Sequence, residues 1–375
     1  MKILGIESSC DDTSVAIIEA NEKGFTILAE KTASQIDVHK KYGGVVPEVA
    51  ARCHAEAIVP VIEEVIEESG IPPFWRAGRN QESGIDCIAV TSGPGLVTSL
   101  LVGVEAAKSL SYLWDVPLIG VNHIEGHIHS VEIPATSPEP TTVSNQPLTT
   151  SNRIEFPALC LVVSGGHTEL VLMKDHGMYE RIGYTRDDAA GECFDKAAKL
   201  LGYEYPGGPK ISKFASLGNP TAIQFPRPML KENNYDFSFA GLKTAALYWL
   251  RENKLMDPEI KNNESGVTIN DFCASFEQAI VDVLVAKTLR AAEEYKPKSI
   301  LLVGGVSANK KLRDTLGEAL KKQYPSITYL LSPLKYAMDN GAMIAVAGYY
   351  HAINKKFNDW RTLETDPNWE IDMKK

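Results

Sequence analysis

The chain has 375 residues, 44% hydrophobic and 23% charged, which is too long for one ordinary core and reads as a soluble globular protein of two domains. Its 48 acidic residues outnumber 38 basic ones, for a net charge of −10, so no global positive field gathers nucleic acid and such a role needs a local basic face or a partner. No apolar run reaches bilayer-spanning length, because residues 96–104 are stopped by Glu105.

In chain order, Lys2-Ile-Leu-Gly-Ile6 reads as a strand with no basic leader or Arg-rich transit segment before it. A small polar turn, Glu7-Ser-Ser-Cys-Asp-Asp12, leads to a second strand, Thr13-Ser-Val-Ala-Ile-Ile18. Residues 46–68 place Ala55, Ile58, Ile62, Val65 and Ile66 at helical spacing, with Pro60 as the expected kink or break. A loop-like insertion at residues 72–80 follows, then a buried strand over 85–90 and a helix over 95–113. Residues 134–152 are rich in Pro, Ser and Thr and read as a flexible loop between two halves. The second half opens like the first: Ala158-Leu-Cys-Leu-Val-Val163, a Ser164-Gly-Gly-His-Thr168 turn, and a strand over 169–173. A long helix over 272–294, a strand over 299–303 and a helix from Ala308 complete an α/β chain of two related halves, with a ligand cleft expected between them. Six dispersed cysteines without a C-x-x-C pair fit reduced thiols in a cytoplasmic protein.

His123-Ile-Glu-Gly-His127 sets two imidazoles four residues apart on one helix face, a spacing that serves one divalent metal, with Asp339 as the distant third ligand. The alternative is a pair of packed or solvated histidines and an Asp339 that merely caps the last helix. Zinc peptidases use H-E-x-x-H; here Ile124 takes that position and Glu125 points off the metal face, which excludes a peptidase. Small or Gly-rich turns follow strands at 8–12, 92–95, 164–167 and 304–309. Neither Walker A nor G-x-G-x-x-G is present, but four such turns in one α/β chain favour a nucleotide cleft. Asp187 and Asp188 read as acids matching a helix start, Asp195 as a candidate for a ribose or amino-acid group, and residues 206–209 as a turn that glycine permits. Lys40, Lys196, Lys210, Arg227 and Lys310 are among the scattered basic candidates for phosphate.

These segments, with Gly5-Ile-Glu-Ser-Ser-Cys-Asp-Asp-Thr13, Val163-Ser-Gly-Gly-His-Thr168, Phe194-Asp-Lys196, Tyr205-Pro-Gly-Gly208, Gly304-Gly-Val-Ser-Ala-Asn309 and Asp339-Asn-Gly-Ala-Met343, resemble the TsaD/Kae/Gcp family, most closely its bacterial branch, over about residues 1–350. The resemblance implies an actin/hexokinase-like (ASKHA) fold: two duplicated ribonuclease-H-like domains with the active site in the cleft between them. Residues 1–133, completed by a C-terminal helix at about 340–356, would form the first subdomain, 134–155 the loop and 156–339 the second. The implied reaction is transfer of threonylcarbamoyl from threonylcarbamoyl-adenylate to N6 of adenosine 37 in tRNAs reading ANN codons (t6A formation). One divalent metal per chain, Fe(2+) with Zn(2+) as the alternative, would be held by His123, His127 and Asp339. The donor would lie along Val162, Val163, Ser164, Gly165 and Gly166, with Asp195, Gly208 and Asn309 touching its nucleotide and polar groups. Asp11 and Asp12 would face metal and substrate as catalytic groups, Asp12 standing where the family commonly has Glu. Implied partners are tRNA, a paralogous TsaB-like protein, a TsaE-like ATPase and a TsaC-type synthase that makes the donor; pairing as a homodimer stays open. Competing readings are a small-molecule kinase or carbamoyl transferase, which gives no reason for the three ligands to converge, and a non-catalytic regulator, which would lack the histidines.

Overall fold

The computed structural model describes residues 1–72, 84–134, 153–253 and 266–373. Most of the two expected loops, residues 73–80 and 135–152, therefore lies outside the described residues. The chain divides into two compact units: Met1–Ile154 with Asp175–Tyr179 and Ser332–Lys375, and Glu155–Lys174 with Glu180–Leu331.

Unit 1 is built on β1 (Lys2–Glu7), β2 (Asp12–Asn21), β3 (Gly24–Ser34), α1 (Ile36–Lys40), α2 (Pro47–Glu68), β4 (Cys87–Gly93), α3 (Val97–Trp114), β5 (Leu118–Asn122) and α4 (His123–His129). Its sheet runs β3-β2-β1-β4-β5; β1 pairs antiparallel with β2 and parallel with β4, which is parallel to β5. Alternation along β1 decides what covers each face. Leu4 and Ile6, with Val15 and Ile17, pack against Ile58, Ile62 and Val65 of α2 and Val104 and Ala107 of α3. Ile3, Ala16 and Ile18 face the other way, into the apolar helix that closes the unit.

Unit 2 contains β6 (Ala158–Val163), β7 (Thr168–Asp175), β8 (Met178–Tyr184), α5 (Ala190–Leu200), α6 (Gly208–Ala215), α7 (Ala240–Glu252), α8 (Ile269–Tyr295), β9 (Ser299–Val303), α9 (Lys310–Gln323) and β10 (Thr328–Leu331). Its sheet, β8-β7-β6-β9-β10, repeats the strand order of unit 1, again with an antiparallel opening pair and a parallel second pair. Leu159, Leu161, Ile300 and Leu302 bury against Phe194, Phe272, Phe276 and Leu316, each such side chain contributing about 1.5–3 kcal/mol when fully withdrawn from water. Thr268 and Asp271 form a reciprocal capping box that starts α8.

The chain then returns to unit 1 for α10 (Gly341–Ile353). Glycine is required where this helix meets the sheet: a Cβ on Gly5 would stand 2.1 Å from the Gly341 carbonyl oxygen, and one on Gly341 2.6 Å from the Ala16 nitrogen. Two local expectations change. Pro60 lies inside α2 without ending it; Ile58, Val61 and Ile62 around it are all buried, so packing overrides the lost N–H. And the cap of α10 is Asn340, whose side chain accepts from the Met343 N–H at 2.8 Å, not Asp339.

Candidate active site

That one-residue difference at α10 matters, because it leaves the Asp339 carboxylate to other work. Asn122 caps α4 by accepting from Ile124 and Glu125 N–H at 2.9 and 3.4 Å, which starts the helix at His123 and sets its two histidines on one face. The Nε2 atoms of His123 and His127 lie 3.5 and 3.2 Å from Asp339 Oδ1. One ligand atom from each of the three falls within 4.8 Å of the others. His127 is buried, yet neither ring nitrogen makes a hydrogen bond among the described residues. An imidazole buried that way is costly unless a cation satisfies it, so the residues present fit a divalent metal.

Glu7, which the sequence reading left inside a turn, proves to be part of this centre. It is fully buried and accepts from the Ser9 N–H at 2.5 Å and the Thr91 hydroxyl at 2.6 Å. Its Oε2 lies 3.0 Å from His123 Nδ1, fixing the ring so that Nε2 turns to Asp339. Burial alone would raise the Glu7 carboxyl, but the His123 charge and hydrogen bond hold it below the usual range. Burial works against the charged His123 ring, and Glu7 and Asp339 outweigh it, lifting the ring to about 9 before any metal is counted. The signal available in sequence was an acid closing the apolar run Ile3-Leu-Gly-Ile6. Glu125 is turned away, accepting from the Tyr179 hydroxyl and pairing with His351, both at 2.9 Å.

Asp11 and Asp12 stand at the β1–β2 turn. Asp12 is buried, and among the described residues one of its oxygens has no hydrogen-bond partner. Burial, then the nearby Asp339, Asp11 and Glu7, push its carboxyl up to about 7 against a hydrogen bond from Ser34.

The remaining candidates all lie in unit 2. Val162 and Val163 end β6, and Gly165 and Gly166 have open space where a side chain would stand. The turn is braced by the Ser164 N–H donating to His167 and the His167 N–H to Ser164 Oγ. A Cβ on Gly304 would meet the Val163 carbonyl at 2.5 Å, and one on Gly191 the Ser164 carbonyl at 2.5 Å, so β9 and α5 approach this turn backbone to backbone. Asp195 Oδ1 accepts from Gly207 and Gly208 N–H at 2.7 and 3.2 Å, holding the start of α6. Asn309 caps α9 through Leu312 N–H and gives its amide hydrogens to Ser212 and Glu277 at 2.8 and 2.7 Å.

Partners in the structure bear on three of the expectations. The 92–95 turn is no phosphate cradle: Gly95 N–H goes to Pro367, Leu96 N–H to Ser9, and Asp366 N–H to Ser92. Asp187 caps α7 instead of α5, accepting from Phe239 and Ala240 N–H at 2.8 and 3.2 Å, while Asp188, just before α5, pairs with Lys196 of that helix at 2.6 Å. Among the basic candidates, Lys40, Arg227 and Lys310 form ion pairs with Asp37, Asp282 and Asp314.

Residues 26–346 match the family model described as TsaD, tRNA N6-adenosine threonylcarbamoyltransferase. Curated relatives of that name include one from Bacillus subtilis (strain 168), 47% identical over 93% of this chain and 90% of its own. Another, from Geobacillus kaustophilus (strain HTA426), is 46% identical over 92% and 90%. Among solved structures, HypF of T.kodakarensis superposes with a TM-score of 0.54 at 14% identity, over 94% of this chain and 47% of that one. A full-length HypF in the phosphate- and nucleotide-bound form gives 0.55 at 16% identity, over 94% and 55%. The chain thus spans about half of each HypF, and at such identity the likeness concerns fold alone.

Proposed function

The chain belongs to the family of tRNA N6-adenosine threonylcarbamoyltransferases, and we propose that it transfers threonylcarbamoyl from threonylcarbamoyl-adenylate to N6 of adenosine 37 in tRNAs reading ANN codons, forming t6A. It is a transferase acting on tRNA. The convergence of His123, His127 and Asp339 is the observation that carries the mechanism.

Those three side chains would hold one divalent ion, with two imidazoles and a carboxylate suiting Fe(2+) or Zn(2+). Such an ion supplies Lewis-acid polarisation of the threonylcarbamoyl group. Glu7 keeps His123 in ligating orientation. The turn at 164–166, with Val162, Val163, Asp195, Gly208 and Asn309, would hold the donor nucleotide. Asp195 and Asn309 would act through the backbone they fix: Asp195 positions the Gly208 N–H, and Asn309 the first turn of α9. In the chemical step the adenine N6 forms a bond to the carbamoyl carbon, the bond from that carbon to the adenylate phosphate oxygen breaks, and AMP leaves. Asp12, with an unpartnered oxygen and a carboxyl near neutrality, would take the proton that N6 loses, and Asp11 would orient the amine. No Ser-His-Asp or Cys-His arrangement is needed, since AMP departs readily.

The strand order shared by the two sheets, with the fold-level likeness to HypF, supports an actin/hexokinase-like duplication of ribonuclease-H-like domains. A paralogous TsaB-like protein and a TsaE-like ATPase would gather tRNA onto a chain of charge −10, and a TsaC-type synthase would supply the donor in the cytoplasm. No helix among the described residues is long and apolar enough to cross a membrane.

The test is transfer of labelled threonine to an ANN-decoding tRNA from supplied threonylcarbamoyl-adenylate with the partner proteins. Incorporation should require both this chain and the target adenosine. No incorporation in a mixture that a B. subtilis relative rescues would refute the proposal.

A further inference from the structure

His129 closes α4 and Glu132 ends the short 3-10 turn Ser130–Glu132 after it, so the two lie one turn apart on the side of α4 away from His123 and His127. His176 comes from the segment Asp175–Tyr179, which belongs to the same unit. One ligand atom from each of His129, Glu132 and His176 lies within 4.8 Å of the others. The site is built rather than incidental. The Tyr350 ring stacks on His176 at 3.7 Å and on His129 at 4.6 Å, fixing both imidazole planes. Its hydroxyl donates to Glu132 Oε1 at 2.7 Å, which leaves Oε2 aimed at His129.

His129 Nδ1 faces Glu132 Oε2 at 2.7 Å, and its Nε2 lies 3.0 Å from the Tyr179 hydroxyl, which donates to Glu125. His176 brings a third potential ligand atom to that pair. We propose that His129, Glu132 and His176 form a second divalent-metal site, taking a borderline transition ion such as Zn(2+) and leaving a fourth position to water. Tetrahedral zinc at about 2.1 Å from each ligand sets donor atoms about 3.4 Å apart, so Nδ1 and Oε2 open by less than 1 Å. The Tyr179 bond to His129 and the Tyr350 bond to Glu132 then become the outer hydrogen bonds that orient metal ligands.

Full-length protein stripped with chelator and titrated with Zn(2+) alone tests this. His127→Ala/Asp339→Ala protein, which lacks the first centre whatever that centre does, should retain one zinc equivalent. Adding His176→Ala or, separately, Glu132→Gln to that background should remove the equivalent while circular dichroism stays unchanged. Glu132→Gln keeps the Tyr350 hydrogen bond, which guards against a folding artefact. A background protein that binds no zinc, or a His176→Ala variant that still binds it, overturns the proposal.

Discussion

Asp12→Asn should stabilise the metal-free protein, increasingly from about pH 4 to about 7 and by a constant amount above that. The carboxyl is 8% exposed, has one oxygen without a partner among the described residues, and sits among Asp339, Asp11 and Glu7. Its proton is held more tightly in the folded chain, up to about 7, than at the ordinary 3.8. The folded state therefore binds more protons than the unfolded one, and stability declines as pH rises from about 4 to about 7, then levels. At about 1.4 kcal/mol for each pH unit of that interval, the decline is on the order of 4 kcal/mol. Asparagine fills nearly the same volume without the charge and escapes the decline. Denaturant unfolding of chelator-treated wild type and Asp12→Asn should give equal stabilities at pH 4 and a variant several kcal/mol more stable at pH 8, with transfer activity lost. Adding the metal should narrow the gap at pH 8, because a cation offsets the clustered carboxylates. Equal stabilities at pH 8, or a more stable wild type, would show that Asp12 pays no such penalty and ionises normally.

His127→Ala should lose bound metal and transfer activity with an unchanged circular dichroism spectrum; a variant that kept both would remove the proposed centre. Glu7→Gln should weaken metal binding by about 10–100-fold, read by competition with a chromogenic chelator, because the amide cannot serve His123, Thr91 and Ser9 as the carboxylate does. Gly191→Ala would put a methyl 2.5 Å from the Ser164 carbonyl; a cost of about 1–3 kcal/mol and weaker binding of the adenylate donor are expected, and an unaffected Kd would clear this turn of that role. Asn340→Ala should cost about 1 kcal/mol through the lost cap and weaken metal binding as the neighbouring Asp339 shifts; stability lost with metal affinity intact would separate cap from ligand.

Much of this was legible because the signals are local. Residues 299–303 read as a strand from their unbroken apolar run, and that is where β9 lies. The repeated strand, Ser/Gly turn and strand foretold both opening hairpins, β1–β2 and β6–β7. Histidines four apart needed only helical geometry. What escaped was set by partners distant in sequence. Glu7 reads as a turn residue until Thr91 and His123 are folded around it. Pro60 reads as a kink or a break, and the break is set aside only once the burial of its neighbours within a continuous α2 is known. For Asp339 the choice between metal ligand and helix cap stays open until Asn340, next to it, is seen to make the capping bond. The third strands β3 and β8 were not foreseen; much of each is only partly buried, which blurs the apolar pattern that marks a strand.

The return of the chain to unit 1 through α10 imposes an order of events during synthesis. Unit 2 is continuous but for one short hairpin tip, and all of it leaves the ribosome before Asp339 and α10 do. Until then Ile3, Ala16, Ile18 and Ala89 lack the helix that covers them, and His123 and His127 lack their carboxylate. The first unit begun is thus the last completed, and nascent or truncated chains present an uncovered apolar sheet face that invites chaperones or self-association.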